Sequence, residues 1–128
     1  MSGEECFWIY ILEMKNGHYY TGYTSDLIKR YRLHLKGAAS KLTRSFKPTK
    51  LAQCWKLMEP MGAALRVEAL IKNQKREIKN SLVENPEKLK RLILEQLSLD
   101  LEIKPVNPGI VESEFLSEGS GATTEKLP

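Results

Sequence analysis

The sequence predicts one α/β domain of the α+β type, in which helices flank a small, mainly antiparallel sheet of three strands. Phe7 to Leu12 is rich in aromatic and β-branched residues, as buried strands are. The pair Asn16-Gly17, a strong hairpin signal, then precedes a second strand over residues 19–24. Further along the chain, apolar residues recur at helical spacing. A hairpin followed by helices and one more strand is therefore expected.

A helix is predicted directly after the second strand, over residues 25–36. Thr24 or Ser25 is expected to cap it, and Asp26 suits the positive first turn. Its apolar face consists of Leu27, Ile28, Tyr31 and Leu35.

The second half of the domain is predicted to be mostly helical. A third strand is expected over residues 51–58. Apolar periodicity then predicts a helix over residues 61–79 and an additional one over 86–98. Asn85 is a candidate cap for that last helix, and Pro86 suits its first position.

The composition changes after Lys104, where Pro, Gly, Ser, Thr and scattered Glu become frequent. Such a stretch has little to bury and is expected to form a disordered acidic tail. The folded domain is therefore predicted over residues 1–104 and the tail over residues 105–128.

The composition limits the class of protein. A chain of 128 residues with 41% apolar and 28% charged content suits one globular domain. No run approaches the roughly 20 apolar residues of a membrane span, and the acidic N-terminus lacks the apolar core of a signal peptide. A cytoplasmic, intracellular protein is expected. Cys6 and Cys54 fit no usual zinc spacing and are expected to be free thiols.

The net charge of +4 is unevenly distributed. Beyond Lys104, four Glu and one Lys give a balance of −3, so the first 104 residues carry 19 basic against 12 acidic side chains, or +7. A basic domain indicates a polyanionic partner such as nucleic acid, although net charge alone also suits a basic, soluble surface.

The stretch over residues 36–50 has the composition of a loop and is rich in cations. It is expected to contact a nucleic-acid backbone, because Lys and Arg supply much of the affinity for phosphates. The alternative is a solvated connector. The cations concerned are Lys41, Arg44, Lys47 and Lys50.

The strand-hairpin-helix unit brings chemically capable side chains together. The hairpin puts Tyr10 and Tyr20 on neighbouring strands. Arg30 and His34 are four residues apart on the following helix, so they are neighbours at the edge of its apolar face. Glu68 lies about 100° from the middle of the apolar face of its own helix, where it can reach a cleft.

This ordered set resembles the GIY-YIG nuclease family, most closely its small stand-alone members. Trp8-Ile9-Tyr10 stands where that family has Gly-Ile-Tyr, and Tyr20-Thr21-Gly22 stands where it has Tyr-Ile-Gly. Arg30, His34 and Glu68 match the helix positions of the family. Thr43-Arg44 also resembles a Thr-Arg segment of the family. The resemblance runs from about residue 7 to about residue 79.

At two positions of the motif, the sequence leaves two interpretations of the residue open. If the family's first glycine only allows tight packing, Trp8 changes the packing and leaves the chemistry intact. If that glycine lets substrate approach, Trp8 affects activity. Gly22 permits a close approach of the backbone, either by substrate or by the following helix.

The resemblance implies a metal-dependent DNA endonuclease that hydrolyses phosphodiester bonds in DNA repair or processing. The implied cofactor is Mg²⁺ or Mn²⁺, with Glu68 as its ligand. A surface ion pair between Glu68 and Lys72 is the structural alternative. DNA is the implied partner, with a protein partner as a further source of specificity and no membrane partner. The alternatives are a non-catalytic nucleic-acid-binding module and a nuclease subunit that depends on a partner.

The resemblance also implies roles for the catalytic set. Arg30 would bind the scissile phosphate through its planar guanidinium. Tyr10 or Tyr20 would be the general base, and a phenol with a pKa near 10 needs metal or arginine to lower it. His34 would hold a tyrosine or the phosphate. Lys72, which lies beside Glu68 on the same helix, is a further candidate for contact with nucleic acid. The alternatives are a solvated arginine, packing tyrosines and a plain helix histidine.

Overall fold

The structure, a computed structural model, describes residues 6–114 of the chain. No helix in that part of the chain combines the length and apolar character needed to cross a bilayer. In chain order the elements are β1 (Phe7–Met14), β2 (Tyr19–Thr24), α1 (Leu27–Lys36), α2 (Lys41–Ser45), β3 (Pro48–Leu57), α3 (Met61–Lys72), α4 (Arg76–Glu84), α5 (Lys88–Leu97) and β4 (Ile103–Val106). Residues 108–114 are also helical.

The strands form one antiparallel sheet in the order β2-β1-β3-β4. Gly17, in the turn between β1 and β2, has a φ of 85°, a conformation that glycine adopts without strain. The hairpin register pairs Trp8 with Thr24 at one end and Glu13 with Tyr19 at the other. The predicted α+β class is therefore confirmed, with β2 as one edge of the sheet.

The predicted count of three strands is wrong, because the sheet has a fourth strand. Residues 103–106 form β4 and pair with the end of β3, from Cys54 to Leu57. Pro105 made this stretch look like a linker, but a proline is tolerated on an edge strand, where its missing N–H is not needed. The domain boundary predicted after Lys104 falls inside β4.

The prediction of a disordered tail over residues 105–128 is wrong for residues 105–114, which belong to β4 and to the helical segment. Val111 is buried in the core. A carboxylate oxygen of Glu112 accepts hydrogen bonds from the Tyr31 hydroxyl at 3.1 Å and from the Leu51 amide at 3.0 Å. These hydrogen bonds to residues distant in the sequence hold residues 108–114 in place, although the composition of this stretch predicted disorder. Residues 115–128 of the predicted tail lie outside the described residues.

The helix predicted over residues 61–79 is two helices, α3 and α4, which are separated at residues 73–75. Lys75 has an extended backbone (φ −68°, ψ 159°), and the Gln74 amide bonds to the Ile71 carbonyl at 3.0 Å in a tighter turn. Neither glycine nor proline marks the break, so the continuous apolar periodicity did not reveal it.

Two helix starts differ from the predicted ones. Asp26 caps α1 in place of Thr24 or Ser25, and its side chain accepts the Lys29 amide at 3.2 Å. The last predicted helix, α5, starts two residues after Pro86. Apart from these starts, α1 and α5 lie where apolar periodicity predicted them.

Part of the predicted loop over residues 36–50 is regular structure, because it contains α2 and the first residues of β3. The Ser40 hydroxyl accepts the Thr43 amide at 3.1 Å and so caps α2. Thr43 points inward and is fully buried, whereas the other residues of this short helix are exposed. The segment is therefore anchored to the domain through Thr43.

Side chains alternate along β1, so the sheet carries a hydrophobic cluster on each face. Ile9 and Ile11 belong to the cluster that α3, α4 and α5 cover. Tyr10 and Leu12 belong to the cluster that α1 and residues 108–114 cover. Because β2 is an edge strand, side chains from the two faces of the sheet can approach each other there.

Candidate active site

A cleft of about 350 Å³ opens beside β2 and is lined by Tyr10, Tyr20, Arg30 and Glu68. The sequence named these four residues as candidate catalytic or metal-binding residues, and the structure brings them together in one cleft. They come from β1, β2, α1 and α3 respectively. A larger groove of about 560 Å³ runs along α3, α4 and α5, but it contains none of the predicted catalytic or metal-binding residues.

Tyr10 reaches the cleft over Gly22, its direct partner in the β1–β2 ladder. A Cβ atom at Gly22 would lie 2.6 Å from Cζ of Tyr10, which is closer than real side chains pack. The absence of a side chain at position 22 thus makes room for the phenol ring. This use of Gly22 differs from both uses that the sequence suggested.

Tyr10 begins a buried chain of polar contacts that leads away from the cleft. Its hydroxyl lies 2.9 Å from Nε2 of His34, and Nδ1 of His34 lies 2.9 Å from Oγ1 of Thr43. Oγ1 of Thr43 lies 2.9 Å from the Ser40 hydroxyl. Tyr10, His34 and Thr43 are all buried, whereas Ser40 is half-buried. The His34 imidazole therefore holds Tyr10, one of the two roles expected for it.

The environment of this chain controls its protonation. Burial lowers the pKa of His34 to about 4, with a further contribution from the positive charge of Arg30, so the imidazole is neutral near pH 7. Burial raises the pKa of Tyr10 well above its ordinary value; Tyr20 raises it further, Arg30 opposes the rise and Glu68 adds to it. Arg30 thus acts in the expected direction, but burial outweighs it and the phenol stays protonated.

Tyr20 packs against the same imidazole from the neighbouring strand. Its ring centroid lies 4.9 Å from that of His34 in an edge-to-face arrangement and 6.4 Å from that of Tyr10. Tyr20 is half-buried and also lines the cleft. The two phenols therefore differ, since Tyr10 is held by a hydrogen bond and Tyr20 by ring packing.

Glu68 makes the predicted ion pair and also lines the cleft, so the two predictions for this residue do not exclude each other. Its carboxylate lies 3.8 Å from Nζ of Lys72, one helical turn along α3, and its side chain is 18% exposed. Within residues 6–114, no group of three or more His, Cys, Asp or Glu side chains converges as metal ligands. A lone carboxylate beside two phenols fits a hard cation such as Mg²⁺, which keeps several water ligands.

Comparison with known proteins identifies the family of the chain. The family model described as the GIY-YIG catalytic domain matches residues 6–81. The chain belongs to the GIY-YIG family. The resemblance seen in the sequence is thus confirmed, and the family is one of nucleases.

Two relatives indicate which GIY-YIG proteins are similar. UPF0213 protein BH0048 from Halalkalibacterium halodurans is 38% identical over 76 residues, which cover 59% of this chain and 80% of that protein. A UPF0213 protein from Streptococcus pneumoniae is 39% identical over 78 residues, which cover 59% and 76%. The NMR solution structure of UPF0213 protein BH0048 from Bacillus halodurans matches with 34% identity and a TM-score of 0.42, covering 66% of this chain and 92% of that one. Both relatives are small single-domain proteins.

Trp8, which replaces the first glycine of the GIY-YIG motif, is not among the residues that line the cleft in the described part of the chain. It is half-buried and packs against the cluster that contains Tyr10 and Leu12. Nζ of Lys56 lies 5.8 Å from the centre of its ring. Trp8 therefore has a packing role on the face of the sheet that carries Tyr10.

The basic residues predicted to bind nucleic acid have different settings. Lys41 and Arg44 are exposed on α2. Lys47 is half-buried, and its ammonium donates a hydrogen bond at 3.0 Å to a carbonyl in the last turn of α1. Lys50 lies 3.8 Å from a carboxylate on β1, and Lys72 lies beside Glu68 at the cleft. Lys41, Arg44 and Lys50 are thus exposed, whereas Lys47 is engaged within the domain.

The sequence matched Thr43 to a segment of the family but gave no role to its side chain, and it gave none to Ser40 or Arg76. Ser40 and Thr43 have the spacing of a helix cap, but nothing in the sequence pairs Thr43 with His34. The Arg76 guanidinium lies 3.9 Å from the centre of the Tyr19 ring and donates to the Gly17 carbonyl at 2.9 Å. Arg76 therefore ties α4 to the hairpin that carries the catalytic motif.

Proposed function

We propose that this GIY-YIG protein is a divalent-metal-dependent DNA endonuclease that hydrolyses phosphodiester bonds in the cleft beside β2. The observation that carries the proposal is the convergence of Tyr10, Tyr20, Arg30 and Glu68 in one cleft, in a chain of a nuclease family. Cleavage of DNA suits a role in repair or processing inside the cell. Specificity would come from DNA shape or from a protein partner.

Arg30 binds the scissile phosphate in this proposal. Its guanidinium lies on α1 and lines the cleft, where it can donate two parallel hydrogen bonds to phosphoryl oxygens. The charge on those oxygens grows in the transition state, so a fixed cation stabilises the transition state more than the bound substrate.

Tyr10 is the general base, assisted by His34. The pKa of Tyr10 is raised by burial, so the phenol does not ionise before the reaction. Its oxygen accepts a proton from the attacking water while its own proton moves to Nε2 of His34, which lies 2.9 Å away. The neutral imidazole can accept that proton, because its pKa of about 4 keeps it unprotonated beforehand. Tyr20 then orients the water or the phosphate.

Glu68 is the residue that would hold Mg²⁺ or Mn²⁺. When bound, the ion supplies charge stabilisation for the phosphoryl oxygens and for the leaving 3′ oxygen. Glu68 is mostly buried at the cleft wall, and Lys72 lies 3.8 Å from its carboxylate. Lys72 is exposed and is proposed to contact the DNA backbone next to the scissile bond.

The remaining basic residues bind the flanking DNA. Lys41 and Arg44 contribute most of this contact, because both are exposed on α2, whose buried residue Thr43 is linked to the cleft through His34. Lys47 and Lys50 contribute less, because each already has a partner within the domain.

Nicking of supercoiled plasmid by the purified protein tests the proposal. We expect nicked and then linear DNA with Mg²⁺ or Mn²⁺, and no cleavage once EDTA removes the ion. Binding of DNA without cleavage in the presence of either metal contradicts the enzymatic proposal and favours a non-catalytic nucleic-acid-binding module. Cleavage that appears only after cell extract is added would instead point to a partner-dependent subunit.

A further inference from the structure

Thr43 is the last fully buried residue in the chain of polar contacts that runs from Tyr10 through His34 to Ser40. We propose that Thr43 is a positioning residue: its hydroxyl oxygen accepts the Nδ1 hydrogen of His34 and thereby leaves Nε2 free to accept the Tyr10 hydroxyl. The consequence for catalysis rests on the proposed nuclease function. The arrangement of hydrogens on His34 does not depend on that function and can be measured separately.

The buried phenol determines the tautomer of His34. A buried tyrosine hydroxyl needs an acceptor for its hydrogen, and the hydrogen bond that the structure gives Tyr10 leads to Nε2 at 2.9 Å. A neutral imidazole has one N–H donor and one acceptor nitrogen. If Nε2 accepts, Nδ1 carries the hydrogen, and it donates to Oγ1 of Thr43 at 2.9 Å.

The first turn of α2 fixes the Thr43 oxygen in place. The Thr43 amide donates to the Ser40 hydroxyl at 3.1 Å, and Oγ1 of Thr43 lies 2.9 Å from that hydroxyl and 3.4 Å from the Ser40 carbonyl. Both contacts offer an acceptor for the hydrogen of Thr43. Its oxygen can therefore accept from His34 while its own hydrogen points to Ser40. Thr43 is fully buried and β-branched, so its side chain has little rotational freedom.

Loss of this acceptor would change what Tyr10 presents to the cleft. Without a partner for Nδ1–H, the imidazole can adopt the other tautomer, in which Nε2–H donates to the Tyr10 oxygen. The phenol hydrogen would then turn toward the cleft, and Nε2 could no longer accept it. Tyr10 would keep its position but lose the group that takes its proton.

Nitrogen-15 NMR of the His34 ring in the labelled, full-length protein tests the inference without any assay of activity. We expect hydrogen on Nδ1 and none on Nε2 in the parent. Thr43→Val, which removes the acceptor and keeps a branched side chain, should shift the ring to the other tautomer or to a mixture. Thr43→Ser should restore the parent pattern. Thr49→Val is the matched control, because the Thr49 hydroxyl is exposed and donates to the Glu13 carbonyl instead.

Two NMR outcomes overturn the inference: hydrogen on Nε2 in the parent, or an unchanged ring in Thr43→Val. If Thr43→Val does not fold, Thr43→Ala is measured in its place with the same criteria.

In the nicking assay, loss of the acceptor should lower kcat about tenfold, equivalent to about 1.4 kcal/mol, with KM for plasmid DNA unchanged. An unchanged kcat contradicts the positioning role. If the parent does not cleave DNA, the NMR result still decides the inference and only the proposed function fails.

Discussion

Gly22 and Tyr10 face each other across the β1–β2 ladder, and the Tyr10 ring occupies the space that a side chain at position 22 would need. The hydroxyl at the tip of this ring lies 2.9 Å from Nε2 of His34. The glycine of the Tyr20-Thr21-Gly22 motif and the tyrosine of the first motif are therefore one structural unit. A change at either residue is expected to displace the phenol.

Gly22→Ala should destabilise the protein and reduce cleavage. The new Cβ would lie 2.6 Å from Cζ of Tyr10, so the ring must move. Overpacking of this kind typically costs about 1–3 kcal/mol. Denaturant unfolding measures the free energy of unfolding, and plasmid nicking measures the effect on the displaced phenol.

Gly62→Ala is the control for this prediction, because a Cβ at Gly62 would meet nothing within 4 Å. Gly62 lies in the first turn of α3, where alanine is favoured over glycine by up to about 1 kcal/mol. The control should therefore be neutral or slightly stabilising. Equal unfolding free energies for the two variants would contradict the packing role of Gly22.

The hairpin and the grouping of the candidate site residues could be predicted from the sequence because their signals are local. Asn16-Gly17 fixes the turn, and alternation along the strands then places Tyr10 and Tyr20 on the same face of the sheet as diagonal neighbours on adjacent strands. Glu68 was placed by helical periodicity within α3, which is regular up to Lys72. In each case a short stretch of chain determines the geometry.

The parts that could not be predicted depend on contacts between distant residues. The polar segment after Lys104 is held in part by the carboxylate of Glu112, which bonds to groups 61 and 81 residues away. Thr43 meets His34 only because α2 folds back onto α1. No periodicity or composition records such pairs, so the sequence predicted a tail and a loop in their place.

Glu112→Ala should lower the free energy of unfolding by about 1–3 kcal/mol. The change leaves the Leu51 amide without its acceptor and removes an acceptor of the Tyr31 hydroxyl. Glu114→Ala is the control, because Glu114 is exposed in the same helical segment. Thermal melts of the two variants measure the difference. Equal melting temperatures would show that Glu112 does not hold the segment, as the composition had predicted for this stretch.

His34 should make stability depend on pH. Burial lowers its pKa to about 4 from an ordinary value of 6.5, so between these values the unfolded chain binds a proton that the folded protein excludes. The unfolding free energy should therefore fall as pH falls through this range, by up to about 1.4 kcal/mol per pH unit. His34→Gln should show a shallower dependence in denaturant unfolding from pH 7 to pH 4. Identical profiles for parent and variant would mean that His34 is not buried and neutral.

Lys41→Ala combined with Arg44→Ala should weaken DNA binding across all sequences. Each lost phosphate contact makes the negative slope of log affinity against log salt shallower by about 0.9, so the pair should reduce its magnitude by about 2. Lys47→Ala is the contrast, because its ammonium bonds to a carbonyl of α1 and its loss should affect stability more than salt dependence. Fluorescence anisotropy at several salt concentrations measures both. An unchanged slope in the double variant would place the DNA surface elsewhere.

Glu68→Ala separates catalysis from folding. Its carboxylate lies at the cleft wall and pairs with Lys72 at 3.8 Å, an interaction worth a few tenths of a kcal/mol, so the variant should fold normally. If Glu68 holds the metal, the variant loses a stabilisation of several kcal/mol. Cleavage should then fall by about two or more orders of magnitude, at 1.36 kcal/mol per tenfold, while DNA binding persists. The control is Glu84→Ala, an exposed acidic residue at the end of α4, which should nick plasmid at the parent rate. A folded Glu68→Ala protein that nicks as fast as the parent would remove Glu68 from the mechanism.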